Sequence, residues 1–365
     1  MDFKIAVLSG DGIGPEVTLE SVKILEAIGA RFGHSFNLQN GEVGGCSIDN
    51  NGVAITDETL QDVLKCDAVL FGAVGGPKWD VTSEKERPEN GILKLRKELD
   101  LFANIRPVKV YNDLVYASPL KPEIVDNVDF IIIRELTSGL YFGEPKKRWN
   151  SENGTRESVD TLYYNEDEIE RVLRVGFELA MGRGKKLHSL DKMNVMATSR
   201  LWREVATELS EEYPEVELIH MLADNAAMQL VTNPNIFDVI VTENTFGDIL
   251  SDEAAVIGGS MGLLPSASLS SVPGNQKKTL GLYEPIHGSA PDIAGQGFAN
   301  PIASILSTSM MLRWSFGLID EANLIDDSVD AILSEGYRTR DITKDNENWL
   351  STSGIGDLIS NKINY

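Results

Sequence analysis

The feature that most limits how this chain can fold is an alternation of short apolar runs with segments of helical periodicity. The apolar runs cover residues 4–8, 67–71, 130–133, 216–221 and 238–241. Helical segments follow Pro15 and Thr56 and recur around residues 168–181, 199–209 and 247–257. Continuous apolar runs of this length are typical of strands buried on both faces of a parallel sheet. The alternation therefore predicts an α/β fold.

The length of the chain predicts two lobes. At 365 residues it exceeds the size at which a single hydrophobic core usually stops growing, so we expect a cleft between two lobes. Lys and Arg number 33 against 56 Asp and Glu, and the formal net charge is −23. Such a surface repels a phosphate backbone, and nucleic acid is not an expected partner. Arginines that face inward together would therefore indicate a site for a small anion.

The cysteine content and the hydropathy of the chain indicate in which cellular compartment the protein is expected. Cys46 and Cys66 have no second thiol or histidine at ligand spacing, so neither a zinc site nor a disulfide framework is predicted. The first ten residues lack the charged and apolar regions of a signal peptide. Serines and Arg313 interrupt the apolar stretch 302–319, which favours a buried helix over a membrane span. We expect a cytoplasmic protein, or one of an organelle matrix, without membrane attachment.

The glycine-rich segment 10–15, Gly-Asp-Gly-Ile-Gly-Pro, superficially resembles a dinucleotide-binding fingerprint. Its spacing is not G-x-G-x-x-G, and Pro15 occupies a place where close packing of helix on strand needs a small residue. We interpret residues 10–14 as a glycine turn between a strand and a helix. Pro15 and Glu16 suit the first turn of that helix.

Three arginines are candidates for an anion site. If residues 89–107 begin as a helix, one face of it carries Glu89, Ile92, Leu93 and Arg96. Arg106 follows where Pro107 stops any helix, and Arg134 comes directly after the apolar run 130–133. Each arginine alone is more often a surface charge. Three of them at the ends of elements in so acidic a chain predict a clamp for carboxylates.

Two aspartates are candidates for a metal site. Asp248 and Asp252 lie four residues apart on a predicted helix, and paired carboxylates of this kind suit Mg²⁺ or Mn²⁺. The alternative is that both merely complement the positive end of the helix dipole. Asp224 follows another predicted strand, and its simplest interpretation is an N-cap for a helix over 225–231. Lys192 and Tyr141 are isolated residues for which the pattern alone does not indicate catalysis.

Two further segments lack regular periodicity. Residues 284–300 form a loop of small residues with carboxylates and an imidazole, in which a cofactor could approach the backbone. A purely structural loop is the alternative. Residues 139–164 are rich in glycine, asparagine, charged and aromatic residues, and fit either a protruding hairpin arm or a surface loop.

Several short motifs together carry a resemblance to a known family. They are Gly75-Gly76-Pro77-Lys78-Trp79-Asp80, Arg87-Pro88-Glu89, Leu95-Arg96-Lys97, Leu101-Phe102-Ala103-Asn104 and the segment 287–295. From Gly10 to about Leu318 the chain resembles the β-decarboxylating dehydrogenases of 2-hydroxy acids, which act on isopropylmalate, isocitrate, homoisocitrate, tartrate or malate. The motifs are most similar to those of the isopropylmalate branch.

The resemblance implies a two-lobed α/β fold that is not a Rossmann fold. Residues 1–101 and 255–365 would form a cofactor-binding lobe that contains both termini. Residues 102–254 would form a central lobe with the substrate and metal residues. A homodimer would form partly through the arm at about 139–164, so that Asp224 and Lys192 reach into the partner's site.

The resemblance also implies roles for individual residues. Lys192 would move the proton of the substrate hydroxyl, and Tyr141 would direct protonation of carbon. Metal ligands would be Asp224, Asp248 and Asp252. Substrate contacts would come from Glu89, Ile92, Leu93, Arg96, Arg106, Arg134, Val195 and Asp224. Cofactor contacts would come from Gly76, Pro77, Lys78, Trp79, Glu89, Glu284, His287, Gly288, Ser289, Ala290, Pro291, Asp292, Ile293, Ala294, Gly295 and Asn300.

The implied reaction is oxidative decarboxylation of 3-isopropylmalate to 4-methyl-2-oxopentanoate, a step of leucine biosynthesis. Asp292 would favour NAD, because a carboxylate there opposes the extra phosphate of NADP. Ile92 and Leu93 would offer apolar surface to the isopropyl group. The alternatives are a sister enzyme for D-malate, tartrate or another 3-alkylmalate and, from a different class, a non-catalytic regulatory subunit.

Overall fold

A computed structural model describes residues 1–79, 87–273, 279–344 and 348–364. Asp80, the last residue of the Gly75 motif, lies outside the described residues. The strands are β1 Asp2–Gly10, β2 Ser35–Asn40, β3 Ala68–Ala73, β4 Ala103–Lys109, β5 Asp129–Glu135, β6 Lys147–Asn150, β7 Arg156–Val159, β8 Lys186–Asp191, β9 Glu217–Leu222, β10 Val239–Thr242, β11 Pro265–Leu269 and β12 Gly281–Pro285. The helices are α1 Gly14–Phe32, α2 Gly45–Asn51, α3 Asp57–Val63, α4 Glu89–Glu98, α5 Pro122–Val125, α6 Glu166–Met181, α7 Ala197–Ser210, α8 Ala223–Thr232, α9 Asn244–Ile257, α10 Ile302–Trp314, α11 Ile319–Ser334 and α12 Thr352–Asn364.

Ten of the strands form one sheet, in the order β2-β1-β3-β12-β11-β4-β5-β10-β8-β9. The strands on either side of the centre pair in parallel, as the apolar runs predict. Three central pairings, β12 with β11, β11 with β4 and β4 with β5, are antiparallel. The prediction of an α/β fold is confirmed, but the sheet is mixed, because three strands without a long apolar run form its middle.

The predicted helices are present, and local signals account for their ends. Pro15 lies in the first turn of α1 with Glu16, where a missing N–H costs nothing and a negative charge is favoured. The hydroxyl of Thr56 accepts a hydrogen bond from the backbone N–H of Thr59 and so caps α3, as predicted. Asn165 and Glu168 form a reciprocal capping box on α6.

The structure corrects the expected surroundings of Arg106. Helix α4 ends at Glu98, so Pro107 does not stop it, and Arg106 lies inside strand β4 and not at an element end. Pro107 lies opposite Ile131 of β5, beyond Ile105, where the pairing of β4 with β11 ends. A proline has no N–H to donate, so this position at the end of the shared ladder tolerates it.

The first thirteen residues of the apolar stretch 302–319 form a buried helix, as predicted, whereas residues 315–318 connect it to α11. Helix α10 is buried from Ile302 to Leu312 and packs on β11, β12, α1 and α11. None of the helices in the described ranges is long and apolar enough to cross a membrane. Both cysteines are free, in agreement with the absence of a disulfide framework from the sequence.

The segment 139–164 contains a hairpin. Strands β6 and β7 pair antiparallel, with Lys147 opposite Val159, and nearly all their side chains are exposed. At the end of the segment Tyr164 is buried, and its ring packs edge-on against Trp202 of α7. The hairpin therefore projects from an anchored base, which fits the arm interpretation better than an unstructured loop.

A buried histidine in strand β8 predicts an acid-sensitive stability. The ring of His188 is 2% exposed and meets Phe237 edge to face, with 4.8 Å between the ring centres. Burial lowers the pKa of His188 to about 4. Because this value lies below 6.5, that of the unfolded chain, the stabilisation is complete above pH 6.5 and is lost as the pH falls through 4.

We expect protonation linked to His188 to lower the free energy of unfolding by about 2 kcal/mol between pH 7 and pH 5. Denaturant titrations of the parent and of His188→Leu across this range measure the effect. The leucine variant should show the shallower dependence on pH. Identical slopes in the two proteins would contradict the assignment.

Candidate active site

The two aspartates of α9 lie on one face of the helix, beyond its first turn. The helix begins at Asn244, and the carboxylate of Glu243 caps it by accepting from Thr245 N (3.0 Å) and Phe246 N (2.8 Å). Asp248 and Asp252 are one turn apart, as predicted. The first turn carries no acidic residue, so the alternative in which both aspartates complement the helix dipole is wrong.

Two arginines with little exposed surface reach these aspartates from the neighbouring strands. Arg134, on β5, donates through Nε to Asn244 Oδ1 (2.9 Å) and through Nη1 to Asp248 Oδ1. Arg106, on β4, donates through Nη1 to Asp252 Oδ1 (3.0 Å) and Ser251 Oγ (2.7 Å). The sheet thus places one arginine opposite each turn of the aspartate face.

The third predicted arginine joins the other two. Arg96, in the last turn of α4, donates through Nη2 to Glu284 Oε1 at 3.1 Å. Burial, together with the positive charges of Arg106 and Arg96, lowers the pKa of Arg134 to about 10, although Asp248 acts in the opposite direction. Burial likewise lowers the pKa of Arg106, with Arg96 contributing. We call Arg96, Arg106 and Arg134 the arginine cluster.

One donor in the arginine cluster has no acceptor. The Nε of Arg96 is buried and has no hydrogen-bond partner. A buried N–H of a charged group is normally satisfied, so an orphan here indicates that an acceptor is supplied by a ligand. An anionic oxygen is the matching group, since a guanidinium binds a carboxylate through two parallel hydrogen bonds.

Tyr141 contacts the same aspartate as Arg134. Its hydroxyl donates to Asp248 Oδ2 at 2.8 Å, and the Arg134 guanidinium lies 5.7 Å from the centre of its ring. Burial and the hydrogen bond to Asp248 raise the pKa of Tyr141 to about 12. The phenol therefore stays protonated at neutral pH and can serve as a proton donor.

Lys192 and Asp224 form a separate pair. Lys192 Nζ lies 2.6 Å from Asp224 Oδ2, and this hydrogen bond lowers the pKa of Asp224. Helix α8 begins at Ala223 with Leu222 at the N-cap, so the interpretation of Asp224 as an N-cap is wrong. Within the described part of a single chain, no three acidic, histidine or cysteine side chains are grouped to hold a metal. Asp224 therefore does not join Asp248 and Asp252 in one chain.

A cavity of about 140 Å³ brings several predicted residues together. Its lining includes Ile92, Arg96, Arg106, Glu284, His287 and Gly288. Ile92 is buried beside the guanidiniums, whereas Leu93 is 39% exposed and Glu89 is exposed at the start of α4. Val195 is 68% exposed on the loop that follows Lys192 and is not in this lining. An apolar side chain and a cationic pair thus share one cavity.

The two predicted cofactor segments contact each other. Ser289 Oγ donates to the carbonyl of Gly75 at 2.8 Å. Beyond Gly76 and Pro77, Lys78 pairs with Asp49, to which Trp79 Nε1 also donates at 3.3 Å. Residues 75–79 and 287–295, which we call the first and second cofactor loops after this prediction, are therefore adjacent at Gly75 and Ser289.

The second cofactor loop rests on α1 and leaves its acidic residue in solvent. Ala290, Ile293 and Ala294 pack against Ile13, Val17 and Ala299. The N–H of Gly295 donates to Glu16, and Asp292 and Pro291 are exposed. Burial lowers the pKa of His287, whose Nε2 is buried without a partner. The Nε2 of His287 is therefore available for a hydrogen bond with a ligand.

Asn300, the last predicted cofactor residue, is buried and has protein partners. Its Oδ1 accepts from Ile302 N (3.0 Å) at the start of α10, and its Nδ2 donates to Asp341 Oδ2 (3.1 Å). Asp341 was not predicted from the sequence. Asn300 therefore has a structural role besides any contact with a cofactor.

Three further residues of the site were missed at the sequence level. Asn104 Oδ1 accepts from Arg106 Nε at 2.8 Å, Asn244 orients Arg134, and Ser251 contacts Arg106. Asn104 lies two positions before Arg106, and Ser251 is directly adjacent to Asp252, so proximity in the sequence to these predicted residues is the signal that could have found them. No local pattern distinguishes Asn244.

Comparisons with known proteins agree with this arrangement. Residues 4–359 match the family described as isocitrate/isopropylmalate dehydrogenase. The chain belongs to that family. It is 55% identical over 363 residues to the 3-isopropylmalate dehydrogenase of Halalkalibacterium halodurans, covering 100% of this chain and 98% of the relative. The same identity and length hold for that of Dehalococcoides mccartyi, with both chains covered fully.

A solved structure shares the fold of the isocitrate/isopropylmalate dehydrogenase family. The isocitrate dehydrogenase of Methylococcus capsulatus superposes with a TM-score of 0.86 over 100% of both chains, at 29% sequence identity. This confirms the prediction of the family fold and excludes a Rossmann interpretation of the glycine turn. The chain is an oxidoreductase, and a dehydrogenase of this family fits a nucleotide cofactor and a divalent metal.

The donor set of the site fits such a metal. Asp248 and Asp252 offer hard carboxylate oxygens one helical turn apart, and Asp252 is largely exposed on its free side. Oxygen donors of this kind suit Mg²⁺ and Mn²⁺ rather than softer metals. In one chain the two carboxylates are neutralised by arginines, so a dianionic ligand and a divalent cation could enter together without changing the net charge.

Proposed function

We propose that this chain oxidises 3-isopropylmalate with NAD⁺ and removes one carboxylate as CO₂, giving 4-methyl-2-oxopentanoate and NADH in leucine biosynthesis. The observation that carries the choice of substrate is the cavity in which Ile92 lies beside Arg96 and Arg106. Relatives 55% identical over the whole chain carry the corresponding name, which supports the same reaction here.

The arginine cluster supplies recognition of the two carboxylates. Arg96 has a free Nε, Arg106 is largely buried, and Arg134 is a buried guanidinium whose pKa of about 10 keeps it charged at neutral pH. Low-dielectric surroundings strengthen their attraction for an anion. The substrate carboxylates would replace part of the present pairing with Glu284, Asp248 and Asp252.

Substrate choice between malates would rest on Glu89, Ile92, Leu93 and Val195. Ile92 and Leu93 sit on successive positions of α4, one buried and one partly exposed, and offer apolar area to an isopropyl group. One or two methylenes in such a pocket are worth roughly 1 to 3 kcal/mol. Related 3-alkylmalates should therefore react more slowly but measurably.

Lys192 and Tyr141 would handle the protons. Lys192 would take up the proton of the C2 hydroxyl, and the nicotinamide, when bound, would supply the acceptor for the hydride of C2. Loss of CO₂ leaves the electron pair on C3, and Tyr141, protonated at neutral pH, sets where the returning proton is delivered. One proton leaves the oxygen and one arrives at carbon, so the reaction releases none.

Asp248 and Asp252, with Asp224 of a second copy, would hold Mg²⁺ or Mn²⁺. Such a cation, when bound, polarises the substrate's C2 oxygen and stabilises the negative charge that develops there. Arg134 and Tyr141 donate hydrogen bonds to the two oxygens of Asp248 and so hold this carboxylate in place for the cation.

The cofactor residues proposed are those of the two cofactor loops together with Glu89, Glu284 and Asn300. Support comes from their mutual contacts, since Ser289 bonds Gly75 and the carboxylate of Glu89 lies near Gly75. Asp292 is exposed in the second loop, where its charge would accept ribose hydroxyls and repel a 2′-phosphate. This supports NAD as the cofactor.

The sheet order supports the proposed division into lobes. Strands β2, β1, β3, β12 and β11 lie within 1–101 and 255–365. Strands β4, β5, β10, β8 and β9 lie within 102–254 and adjoin them through the pairing of β11 with β4. The arginine cluster draws on both groups of strands or their helices, as expected of a cleft between lobes.

A homodimer with shared sites is also part of the proposal. Helices α8 and α9 pack together and expose large apolar side chains, namely Met228, Val231, Ile249 and Val256. Several large apolar side chains exposed on two adjacent helices are typical of a subunit interface. Asp224 lies one turn before Met228, so a second copy on this surface would carry the Lys192–Asp224 pair towards the neighbouring site.

A panel of substrates tests the function. The purified chain, with Mg²⁺ and NAD⁺, should turn over 3-isopropylmalate with a kcat/KM at least about 100-fold above D-malate, tartrate and isocitrate. NADP⁺ in place of NAD⁺ should lower the rate for 3-isopropylmalate. A preference for D-malate, tartrate or isocitrate contradicts the substrate assignment, and no turnover of any of them points to a regulatory subunit.

A further inference from the structure

The glycine turn contains a buried carboxylate that the proposed mechanism does not use. Asp11 is 5% exposed. Its Oδ2 accepts hydrogen bonds from Gly45 N (2.7 Å) and Gly75 N (2.9 Å), and its Oδ1 accepts from Cys46 N (2.8 Å). One side chain thus joins the start of α2 to the start of the first cofactor loop.

The backbone of the same turn contacts the second cofactor loop. The N–H of Ile13 donates to the carbonyl of Ser289 at 2.8 Å, and Ser289 Oγ in turn donates to Gly75 O. A Cβ on Gly12 would lie 1.9 Å from Ser289 O, and Gly12 has a φ of +59°. Only glycine allows this approach, so Gly12 serves the contact between the turn and the second cofactor loop.

The chemistry of the contact requires a carboxylate. Three backbone donors converge on two oxygens that carry negative charge, and such charge-assisted bonds are stronger than neutral ones. Asparagine has the same shape but presents an NH₂ group to at least one N–H. Two donors would then face each other, and a buried N–H left without an acceptor costs about 1 to 3 kcal/mol.

We propose that Asp11 is a positioning residue for the nicotinamide dinucleotide, holding both cofactor loops in register. The inference rests on the proposed function, since it takes the two loops to be the cofactor site. Asp11 acts through the backbone of Gly75 and, by way of the turn, through Ser289. It does not touch the cofactor itself.

The test compares Asp11→Asn with a matched variant, Glu20→Gln. Glu20 is a similarly buried carboxylate of the neighbouring helix α1, bonded to Lys23 and packed against Gly356 of α12, and its carboxylate is not bonded to either described loop. NADH binding is followed by fluorescence titration, and KM is measured separately for NAD⁺ and for 3-isopropylmalate. Ser289→Ala, which removes the hydroxyl link to Gly75, provides a second, milder variant.

Asp11→Asn should weaken NADH binding about tenfold and raise the KM for NAD⁺ by a similar factor, whereas the KM for 3-isopropylmalate should not change. Ser289→Ala should weaken NADH binding about threefold, and Glu20→Gln should leave it at the parental value. Unchanged NADH binding in Asp11→Asn, or an equal loss in Glu20→Gln, overturns the inference. If Asp11→Asn does not fold, Ser289→Ala becomes the deciding variant. Unchanged NADH binding in Ser289→Ala then overturns the inference.

The same measurements separate this inference from the proposed function. A parental chain that neither binds NADH nor oxidises 3-isopropylmalate contradicts the proposed function. A parental chain that does both, beside an Asp11→Asn variant that binds NADH equally well, overturns the role of Asp11 alone.

Discussion

Replacing Lys192 with alanine should lower kcat for 3-isopropylmalate by about 1,000-fold, because the group that takes up the hydroxyl proton is lost. Asp224 loses its partner at the same time, since Lys192 Nζ lies 2.6 Å from its carboxylate. NADH binding should stay near the parental value, because neither cofactor loop contains Lys192. Steady-state rates and fluorescence titration measure the two quantities on one preparation.

Lys185→Ala is the matched control. Lys185 stands at the other end of strand β8 and also pairs with a carboxylate, that of Glu215, but it lies outside the proposed site. Its variant should keep the parental kcat. A Lys192→Ala enzyme that retains more than about half of the parental rate contradicts the role of Lys192 as a proton acceptor.

Replacing Asp248 with asparagine should raise the Mg²⁺ concentration for half-maximal rate by about 100-fold. The amide keeps the shape but loses the charge, and its NH₂ faces a donor, either Arg134 Nη1 or the Tyr141 hydroxyl. Both the proposed metal site and the orientation of Arg134 are then weakened. Rates measured against Mg²⁺ concentration at saturating NAD⁺ give the effect.

Asp330→Asn is the control for this change. Asp330 is also an ion-paired helical aspartate, on α11, where both of its oxygens accept from Lys109 Nζ at 3.0 Å. Its variant should need no more Mg²⁺ than the parent. An Asp248→Asn enzyme with the parental Mg²⁺ requirement would show that Asp248 only orients Arg134 and Tyr141.

The two inactive variants together test whether sites are shared. In a dimer of one Lys192→Ala and one Asp248→Asn chain, a shared architecture leaves one site with both native residues. Random exchange of equal amounts should therefore recover about a quarter of the parental activity. If no activity returns after subunit exchange has been verified, each chain contains its own complete site.

Much of the candidate site follows from local patterns. The spacing of Asp248 and Asp252 places them on one face of α9, because the helical repeat is fixed by bonds between residues four apart. The same reasoning brings Ile92 and Arg96 to one face of α4. The identity of these residues, with the motif around Gly75, was enough to indicate the family.

The middle of the sheet could not be predicted in this way. Strands β4, β11 and β12 lack long apolar runs, because polar residues are buried in them. Asn104 donates to Ser266 Oγ at 2.8 Å and to Ser268 Oγ at 3.0 Å, so these groups satisfy one another across the sheet. A hydrophobic pattern cannot distinguish such mutually bonded polar residues from exposed ones.

The glycine turn shows most clearly the difference between what local sequence patterns predict and what long-range contacts establish. The order of residues 10–14 was enough to predict a turn between β1 and α1 and to show that the glycine spacing is wrong for a dinucleotide fingerprint. Only the tertiary structure placed Asp11 against Gly45 and Gly75, and Ile13 against Ser289. Short-range hydrogen bonds and periodicity set each element, whereas contacts between residues tens to hundreds of positions apart depend on the strand order, which no local pattern encodes.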